Sequence, residues 1–271
     1  MKLVDVHCHL EGERFEKDIN EVIKRAEDAG AVLIVNSGVN PETNRLALNL
    51  SKENKIVKPS FGIYPIDALI HKFKDLKDDY PREIVEFDYK EELKWIEKNK
   101  ESCVAIGEVG LDFKVIEKCK NLEEVKKEQI KIFEDIIEFA KKIGKPLVVH
   151  SRGAELEVVE TLEKHGAKNV IIHSFNGNKK LIKRIFENGW YFSVPAVITR
   201  LLHFQMLVEM VDLKQLLTET DAPYLAPVAG ERSEPKDVAV TIREIAKIKK
   251  LTEKEVAEQI YENAKRIFIF S

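Results

Sequence analysis

The stretch Leu3-Val4-Asp5-Val6-His7-Cys8-His9 has the pattern of a buried β-strand that ends in polar side chains. Short apolar runs of this kind are typical of strands covered on both faces, as in a parallel sheet. His7 and His9 lie two residues apart, so an extended backbone turns both imidazoles to the same side. Two neutral imidazoles directed at one point suit a divalent first-row metal. The alternative at this stage is a pair of partly exposed histidines at a strand end.

The same arrangement, a short apolar run followed by a potential metal ligand, recurs along the chain. The further candidates are Glu108 after 104–106, His150 after 147–149, His173 after 170–172 and Asp221 after 215–217. Taken singly, each has an ordinary alternative, such as a salt-bridged turn glutamate, a histidine at a strand end or an Asx-turn. Ligands at the carboxyl ends of parallel strands converge when those strands close into a barrel. We therefore predict one metal site formed by His7, His9, Glu108, His150, His173 and Asp221.

Strand and helix patterns alternate to the end of the chain, which predicts an α/β fold built from βα units. The predicted strands are 3–6, 31–35, 56–61, 104–106, 147–149, 170–172, 191–194 and 215–217. A chain of 271 residues fits one (β/α)8 TIM barrel, typically about 250 residues, so we expect a single domain over 1–271 with the metal site at the carboxyl mouth of the strands. Helices are expected over 14–29 and 122–143.

The longest connection, residues 64–102, is expected to be an insertion over the barrel mouth. It carries partial helical patterns at 68–76 and 89–98, broken by Pro81. We find no composition shift within it that favours a separate domain.

Composition excludes several classes of function. A net charge of −3 with 34% charged residues argues against a globally basic nucleic-acid binder, although bound metals can supply positive charge locally. No apolar run approaches the roughly 18 residues that a membrane span needs, so we expect no membrane partner. The three cysteines show no CxxC spacing, and Met1 leads directly into the first strand. We therefore expect reduced thiols, no signal peptide and a cytoplasmic location.

Several blocks of this sequence resemble, in the same order, the TatD family of metal-dependent deoxyribonucleases in the amidohydrolase superfamily. The matching segments are 4–10, 107–112, 150–152, 173–177, 218–225 and 263–268. Imidazole and carboxylate ligands suit Zn²⁺ or Mn²⁺, with Mg²⁺ also possible in use, and the resemblance implies two such divalent metal ions. It also implies which residues bind them: one ion is held by His7, His9 and Asp221, the other by His150 and His173, and Glu108 contacts both.

The activity implied by this resemblance is phosphodiester hydrolysis at DNA ends or in single strands by a metal-activated hydroxide. Asp221 is the expected general base and proton shuttle, and Glu108 the shared ligand of both metals. The further candidates are substrate contacts: Arg152 and Arg232 as phosphate clamps, each with a structural ion pair as the alternative, and also Asn176 and Tyr64. We expect a monomer.

Two departures from the family pattern leave other functions open. The family's Gly-x-His-Pro-His appears here as Gly62-Ile63-Tyr64-Pro65-Ile66, and its Arg-Asn-x-Pro as Arg232-Ser233-Glu234-Pro235. The missing histidines make a changed substrate more credible. The alternatives are a metal-dependent ester or amide hydrolase, such as an aminoacyl-tRNA deacylase, and a metal-loaded scaffold without turnover.

Overall fold

The computed structural model describes residues 1–73, 76 and 85–268, and within them eight parallel strands follow one another in sequence order around a nearly closed barrel. The strands are β1 (Leu3–Cys8), β2 (Ala31–Ser37), β3 (Val57–Phe61), β4 (Ala105–Asp112), β5 (Leu147–Arg152), β6 (Val170–His173), β7 (Tyr191–Pro195) and β8 (Leu216–Glu219). The residues just after β8 are hydrogen-bonded to the end of β1. Asp221 N–H donates to the His7 carbonyl (2.9 Å), and His9 N–H donates to the Ala222 carbonyl (2.7 Å). The predicted TIM barrel is confirmed.

Ten α-helices alternate with these strands in the described part of the chain. They are α1 (Ile19–Asp28), α2 (Pro41–Glu53), α3 (Tyr89–Lys98), α4 (Phe113–Ile116), α5 (Leu122–Ile143), α6 (Glu155–Lys164), α7 (Lys179–Glu187), α8 (Leu202–Met210), α9 (Val238–Lys249) and α10 (Glu253–Phe268). The predicted bounds of α5 are confirmed, and the helix ends at Gly144 with φ +70°, a conformation that glycine adopts without a steric penalty.

Several predicted element bounds were wrong. β4 continues to Asp112 and β5 to Arg152, well past the apolar runs, so Glu108 and His150 lie on strands and not after them. Polar residues are tolerated there because they face a polar site at the strand ends. The first helix begins at Ile19 and not at 14, since residues before it form turns such as Phe15 N–H to the Gly12 carbonyl (2.9 Å).

The segment 64–102 is described only in part. It contains a buried turn of 3₁₀-helix at Asp67–Leu69 and then α3, at the predicted bounds 89–98, which is followed by a second 3₁₀ turn at Lys100–Ser102. Pro81 and much of the stretch before α3 lie outside the described residues, so the insertion over the mouth stays a prediction. No helix in the described part of the chain is both long and apolar enough to cross a membrane. Cys8, Cys103 and Cys119 are all free thiols.

Candidate metal centre

The six predicted ligands all lie on barrel strands or shortly after them. His7 is on β1, Glu108 on β4, His150 on β5 and His173 at the end of β6. His9 follows β1, and Asp221 follows β8. Their ligand atoms form three overlapping groups, and within each group the atoms lie within 4.8 Å of one another. The first group is His7, His9 and Glu108, the second is His7, His173 and Asp221, and the third is Glu108, His150 and His173. Residues up to 214 positions apart in the chain therefore reach one cluster.

Glu108 stands between two pairs of histidines, with one carboxylate oxygen toward each pair. Its Oε1 lies 2.7 Å from His150 Nδ1 and 3.1 Å from His173 Nε2. Its Oε2 lies 3.3 Å from His9 Nε2 and 3.7 Å from His7 Nε2. A carboxylate in this position can contribute one oxygen to each of two coordination spheres.

The second carboxylate, Asp221, faces the His7 and His9 pair. Its Oδ1 lies 3.5 Å from Nε2 of His7 and 3.5 Å from Nε2 of His9. These distances are longer than hydrogen bonds. In a tetrahedral site with metal–ligand bonds of about 2.0–2.2 Å, ligand atoms are about 3.3–3.6 Å apart. The spacing in this half of the cluster is thus close to that of a coordination sphere.

A buried nitrogen without a hydrogen bond supports the same interpretation. His7 is fully buried, and its Nε2 has no hydrogen-bond partner among the described residues. Leaving a buried polar atom unsatisfied costs about 1–3 kcal/mol, so such atoms usually have a partner. A metal ion held by His7 and Asp221 would satisfy this nitrogen, and the donor set of imidazoles and carboxylates suits a divalent cation.

The outer nitrogens of His7 and His9 are both held by Ser37 at the end of β2. His9 Nδ1 donates to the Ser37 carbonyl (2.8 Å), and His7 Nδ1 lies 3.1 Å from Ser37 Oγ. A proton on His9 Nδ1 leaves the lone pair of Nε2 directed at the cluster, which is the tautomer that binds a metal. Sequence analysis missed Ser37, because a serine at a strand end carries no distinctive signal.

Two buried carboxylates that sequence analysis also missed lie behind His150 and His173, on the side away from Glu108. His150 Nε2 lies 3.0 Å from Asp112 Oδ2, and His173 Nδ1 lies 3.7 Å from Glu219 Oε2. Asp112 and Glu219 are both fully buried. Each is an acidic residue at the end of a barrel strand, Asp112 on β4 and Glu219 on β8, whereas Glu108 was identified by the apolar run 104–106 before it.

The electrostatic environment keeps both central carboxylates ionised. Burial raises the pKa of Glu108, but the charge of His173 and hydrogen bonds from His150 outweigh it and hold that pKa well below its usual range. Burial likewise raises the pKa of Asp221, but the neighbouring imidazoles of His7 and His9 bring it below its usual range. Burial, followed by repulsion from His173, lowers the pKa of His7 to about 4. His7 is therefore neutral at pH 7, as a metal ligand must be.

The backbone is constrained around two of the ligands. Asp221 has φ +52°, a left-handed conformation that aspartate tolerates better than most residues and that is concentrated at functional sites. Gly110 has φ +140°, and a Cβ at this position would lie 2.1 Å from the His150 carbonyl oxygen. β4 and β5 can approach this closely beside His150 only because residue 110 has no side chain.

Of the four predicted substrate contacts, two lie beside the cluster. Arg152 Nε donates to Asp112 Oδ2 (2.7 Å), and its side chain is 31% exposed. The Tyr64 hydroxyl donates to the same Asp112 oxygen (2.8 Å), and its side chain is buried. Asn176 is exposed on the connection after β6. All of these remain predictions as contacts to substrate.

Arg232 is engaged in ion pairs, which was the alternative considered from sequence. Its guanidinium donates from Nη2 to Asp18 Oδ2 (2.7 Å) and Glu234 Oε1 (2.9 Å), and from Nη1 to the Arg14 carbonyl (2.7 Å). It also lies over the ring of Phe15, 4.6 Å from the centroid. These contacts connect the segment after β8 to the segment before α1, and Arg232 as a phosphate clamp stays a prediction.

Comparisons with known proteins agree with the geometry of this centre. A family model described as TatD related DNase matches residues 4–269. An uncharacterized metal-dependent hydrolase of Methanocaldococcus jannaschii is 35% identical, over 99% of this chain and 97% of that protein. The human deoxyribonuclease TATDN3 is 32% identical, over 98% of this chain and 94% of its own length.

Solved structures show the same fold. The crystal structure of YJJV, a TatD homolog from Escherichia coli, superimposes with a TM-score of 0.81 at 22% identity, covering 99% of this chain and 98% of that chain. A TatD-family hydrolase from Entamoeba histolytica superimposes with a TM-score of 0.81 at 18% identity, covering 98% of this chain and 97% of that chain.

Proposed function

The chain belongs to the TatD-related DNase family and is a metal-dependent hydrolase of that family, and on this premise we propose that it cleaves phosphodiester bonds at DNA ends or in single strands with two divalent metal ions. The observation that carries the proposal is the position of Glu108, whose two oxygens face two different pairs of imidazoles at 2.7–3.7 Å. One carboxylate shared in this way suits a pair of neighbouring ions better than a single ion.

The chain offers a complete ligand set for two ions. His7, His9 and Asp221 would hold one, His150 and His173 the other, and Glu108 both. Bound divalent ions would act as Lewis acids and lower the pKa of water to about 7, which provides a nucleophile at neutral pH. Imidazole and carboxylate ligands suit Zn²⁺ and Mn²⁺, and Mg²⁺ where it is abundant.

Asp221 is the proposed general base. It is ionised, and its side chain is 15% exposed whereas that of Glu108 is 6% exposed. A proton taken up by Asp221 can therefore pass to solvent more readily than one taken up by Glu108. Because Glu108 faces four imidazoles, its oxygens are needed for binding, and Asp221 is left as the carboxylate suited to move a proton.

Arg152 is the proposed phosphate contact. It ends β5, two residues after His150, and its partly exposed guanidinium lies at the edge of the ligand cluster. A guanidinium matches the geometry of a phosphate group and stabilises the charge that develops on it during hydrolysis. Tyr64 and Asn176 are proposed as weaker substrate contacts, whereas the ion pairs of Arg232 with Asp18 and Glu234 favour the structural role considered from the sequence.

The substrate class is proposed from two observations. Relatives that align over nearly the whole chain are named deoxyribonucleases. The chain as a whole is acidic, with net charge −3, which favours a short contact at a strand end over a long duplex groove, because duplex binding usually needs many cationic contacts. The relatives give no support to the alternative of an aminoacyl-tRNA deacylase.

A substrate panel with metal analysis tests the proposal. Purified protein loaded with Mn²⁺, Mg²⁺ or Zn²⁺ is incubated with oligonucleotides labelled at the 5′ or the 3′ end, and with aminoacyl-tRNA. We expect cleavage of single strands, loss of cleavage in His150→Ala, and retention in the matched control His165→Ala, which lies on the surface beside Glu138. A protein with verified metal content that leaves every oligonucleotide intact contradicts the proposal, as does preferential deacylation.

A further inference from the structure

Three donors from two segments, β5 and the connection after β3, converge on one oxygen of Asp112. His150 Nε2 lies 3.0 Å from Oδ2, Arg152 Nε 2.7 Å and the Tyr64 hydroxyl 2.8 Å. Asp112 is fully buried. One of the three donors is a predicted metal ligand and the other two are predicted substrate contacts, so a single carboxylate connects the metal centre to the surface that receives the phosphate.

Asp112 is itself held in place without help from the metal centre. Its second oxygen, Oδ1, accepts the Val115 N–H (3.0 Å) at the start of α4. Its backbone pairs with the side chain of Gln129 on α5, since Asp112 N–H donates to Gln129 Oε1 (2.9 Å) and Gln129 Nε2 donates to the Asp112 carbonyl (3.1 Å). Gln129 is buried. The carboxylate is therefore fixed from the helical layer and can act as a reference point for its three donors.

The hydrogen bond to Asp112 determines which nitrogen of His150 carries its proton. A carboxylate accepts only from an N–H group, so the contact with Asp112 requires a proton on Nε2, and Nδ1 is the nitrogen of His150 left to bind a metal ion in place of its contact with Glu108. Nδ1 is the atom that faces the cluster, 2.7 Å from Glu108 Oε1 and 3.2 Å from His173 Nε2. Carboxylate partners of this kind orient metal-binding histidines and make them stronger ligands.

The same oxygen orients Arg152. The guanidinium approaches Asp112 through Nε, and Asp112 and Arg152 are register partners on β4 and β5. This approach fixes the plane of the guanidinium beside His150. Arginine recognises phosphate through a planar fork, so the orientation of that plane determines how a phosphate is bound.

We propose that Asp112 is a positioning residue that sets the metal-binding tautomer of His150 and the orientation of Arg152 through one shared oxygen. In relation to Arg152 this role rests on the proposed phosphodiesterase function, whereas in relation to His150 it requires only that the centre binds a metal. Loss of Asp112 then changes two measurable quantities together, the affinity for metal and the Michaelis constant for an oligonucleotide.

The competing role for Asp112 is a purely structural cap on α4. Asp112→Asn separates the two roles, since an asparagine oxygen still accepts the Val115 N–H but the negative charge facing the three donors is lost. Asp212→Asn is the matched control, because Asp212 caps a turn through the Lys214 N–H (2.8 Å) and the structure places none of the six ligands against it. Arg152→Ala is the second comparison, since it changes the proposed phosphate contact and leaves Asp112 and His150 in place.

Titration of the metal-free proteins with Mn²⁺, by calorimetry and equilibrium dialysis, is the decisive measurement. We expect Asp112→Asn to weaken Mn²⁺ binding about 10–100-fold and to raise KM, Arg152→Ala to raise KM at unchanged Mn²⁺ affinity, and Asp212→Asn to change neither. Unchanged Mn²⁺ affinity in folded Asp112→Asn overturns the proposal. A wild-type protein that binds Mn²⁺ but cleaves no oligonucleotide contradicts the proposed function and leaves the result for His150 standing.

A spectroscopic test needs no Asp112 variant and so does not depend on its folding. Long-range ¹H–¹⁵N correlation spectra of the Zn²⁺-loaded protein report the protonated nitrogen of each imidazole, and His150→Gln identifies the signal of His150. We expect a proton on Nε2 of His150. A proton on Nδ1, with Nε2 coordinated, overturns the proposal.

Discussion

Asp221 donates its backbone N–H to the carbonyl oxygen of His7 (2.9 Å), and its carboxylate Oδ1 lies 3.5 Å from the Nε2 atom of the same histidine. Asp221 lies two residues after the last strand of the barrel, and His7 is the last residue but one of the first strand. The contact that joins the ends of the sheet is therefore also a contact within the metal centre. Barrel closure and assembly of the ligand set depend on each other.

Removal of metal should lower the thermal stability of the protein. The folded chain gathers buried imidazoles and carboxylates, and a ligand present at 100 times its Kd stabilises the folded state by about 2.7 kcal/mol. We expect Tm to fall on chelation and to recover with added Mn²⁺ or Zn²⁺, measured by scanning calorimetry. Asp221→Asn should respond less to added metal than the wild-type protein. An identical Tm with and without metal contradicts this prediction.

Arg152 and Arg232 should give opposite phenotypes. Arg152 is partly exposed beside the ligand cluster, so we expect Arg152→Ala to raise KM for an oligonucleotide about 10-fold or more, as for the loss of a charge-assisted hydrogen bond, with little change in Tm. Arg232 joins Asp18 to Glu234, so Arg232→Ala should lower Tm with little change in KM. Steady-state kinetics and thermal unfolding of both variants check this, and a raised KM with unchanged Tm in Arg232→Ala would restore it as a phosphate contact.

The ion pairs of Glu234 should stop stabilising the fold at strongly acidic pH. Burial raises the pKa of Glu234, but hydrogen bonds from Arg25 and Arg232 outweigh it and lower that pKa to about 2, whereas an unfolded glutamate has a pKa of about 4.3. Because the folded pKa is the lower one, the stabilisation is complete above about pH 4.3 and is lost as the pH falls toward 2.

Urea unfolding of the wild-type protein and Glu234→Gln at several pH values tests this dependence. The difference in free energy of unfolding should be constant between pH 7 and pH 5 and should shrink at pH 4 and pH 3. Effects of pH on the rest of the chain are common to both proteins and cancel in the difference. A difference that persists undiminished at pH 3 would show that Glu234 acts through packing and not through its charge.

Gly110 should tolerate substitution far less than Gly144. Both have positive φ, but a Cβ at residue 110 lies 2.1 Å from the His150 carbonyl oxygen, whereas a Cβ at residue 144 meets nothing within 4 Å. We expect Gly144→Ala to cost about 1–2 kcal/mol from its backbone conformation alone and Gly110→Ala to prevent folding or to abolish metal binding. Equal Tm values for the two variants contradict the close approach of β4 and β5.

Much of the fold could be predicted from local patterns. Apolar runs such as 147–149 and 170–172 identify buried strands. The residue pair Asn40-Pro41 carries the sequence signal of a helix start, and α2 begins there, with Asn40 Oδ1 accepting the Thr43 N–H (3.0 Å). The strand ends were placed too early at β4 and β5, because a pattern of apolar residues stops at the first polar side chain even when the extended backbone continues.

The sequence by itself determined the order of the strands and the identity of six potential ligands, since both follow from residue types at short spacing. Only the tertiary structure decided which side chains contact these ligands from outside the cluster. His9 is contacted by Ser37 at the end of β2, His150 by Asp112 at the end of β4, and His173 by Glu219 at the end of β8. Tertiary structure likewise brought Arg232 to Asp18, more than 200 positions away. Such pairings depend on strand register and barrel curvature, which are set by packing across the whole chain and leave no local trace in the sequence.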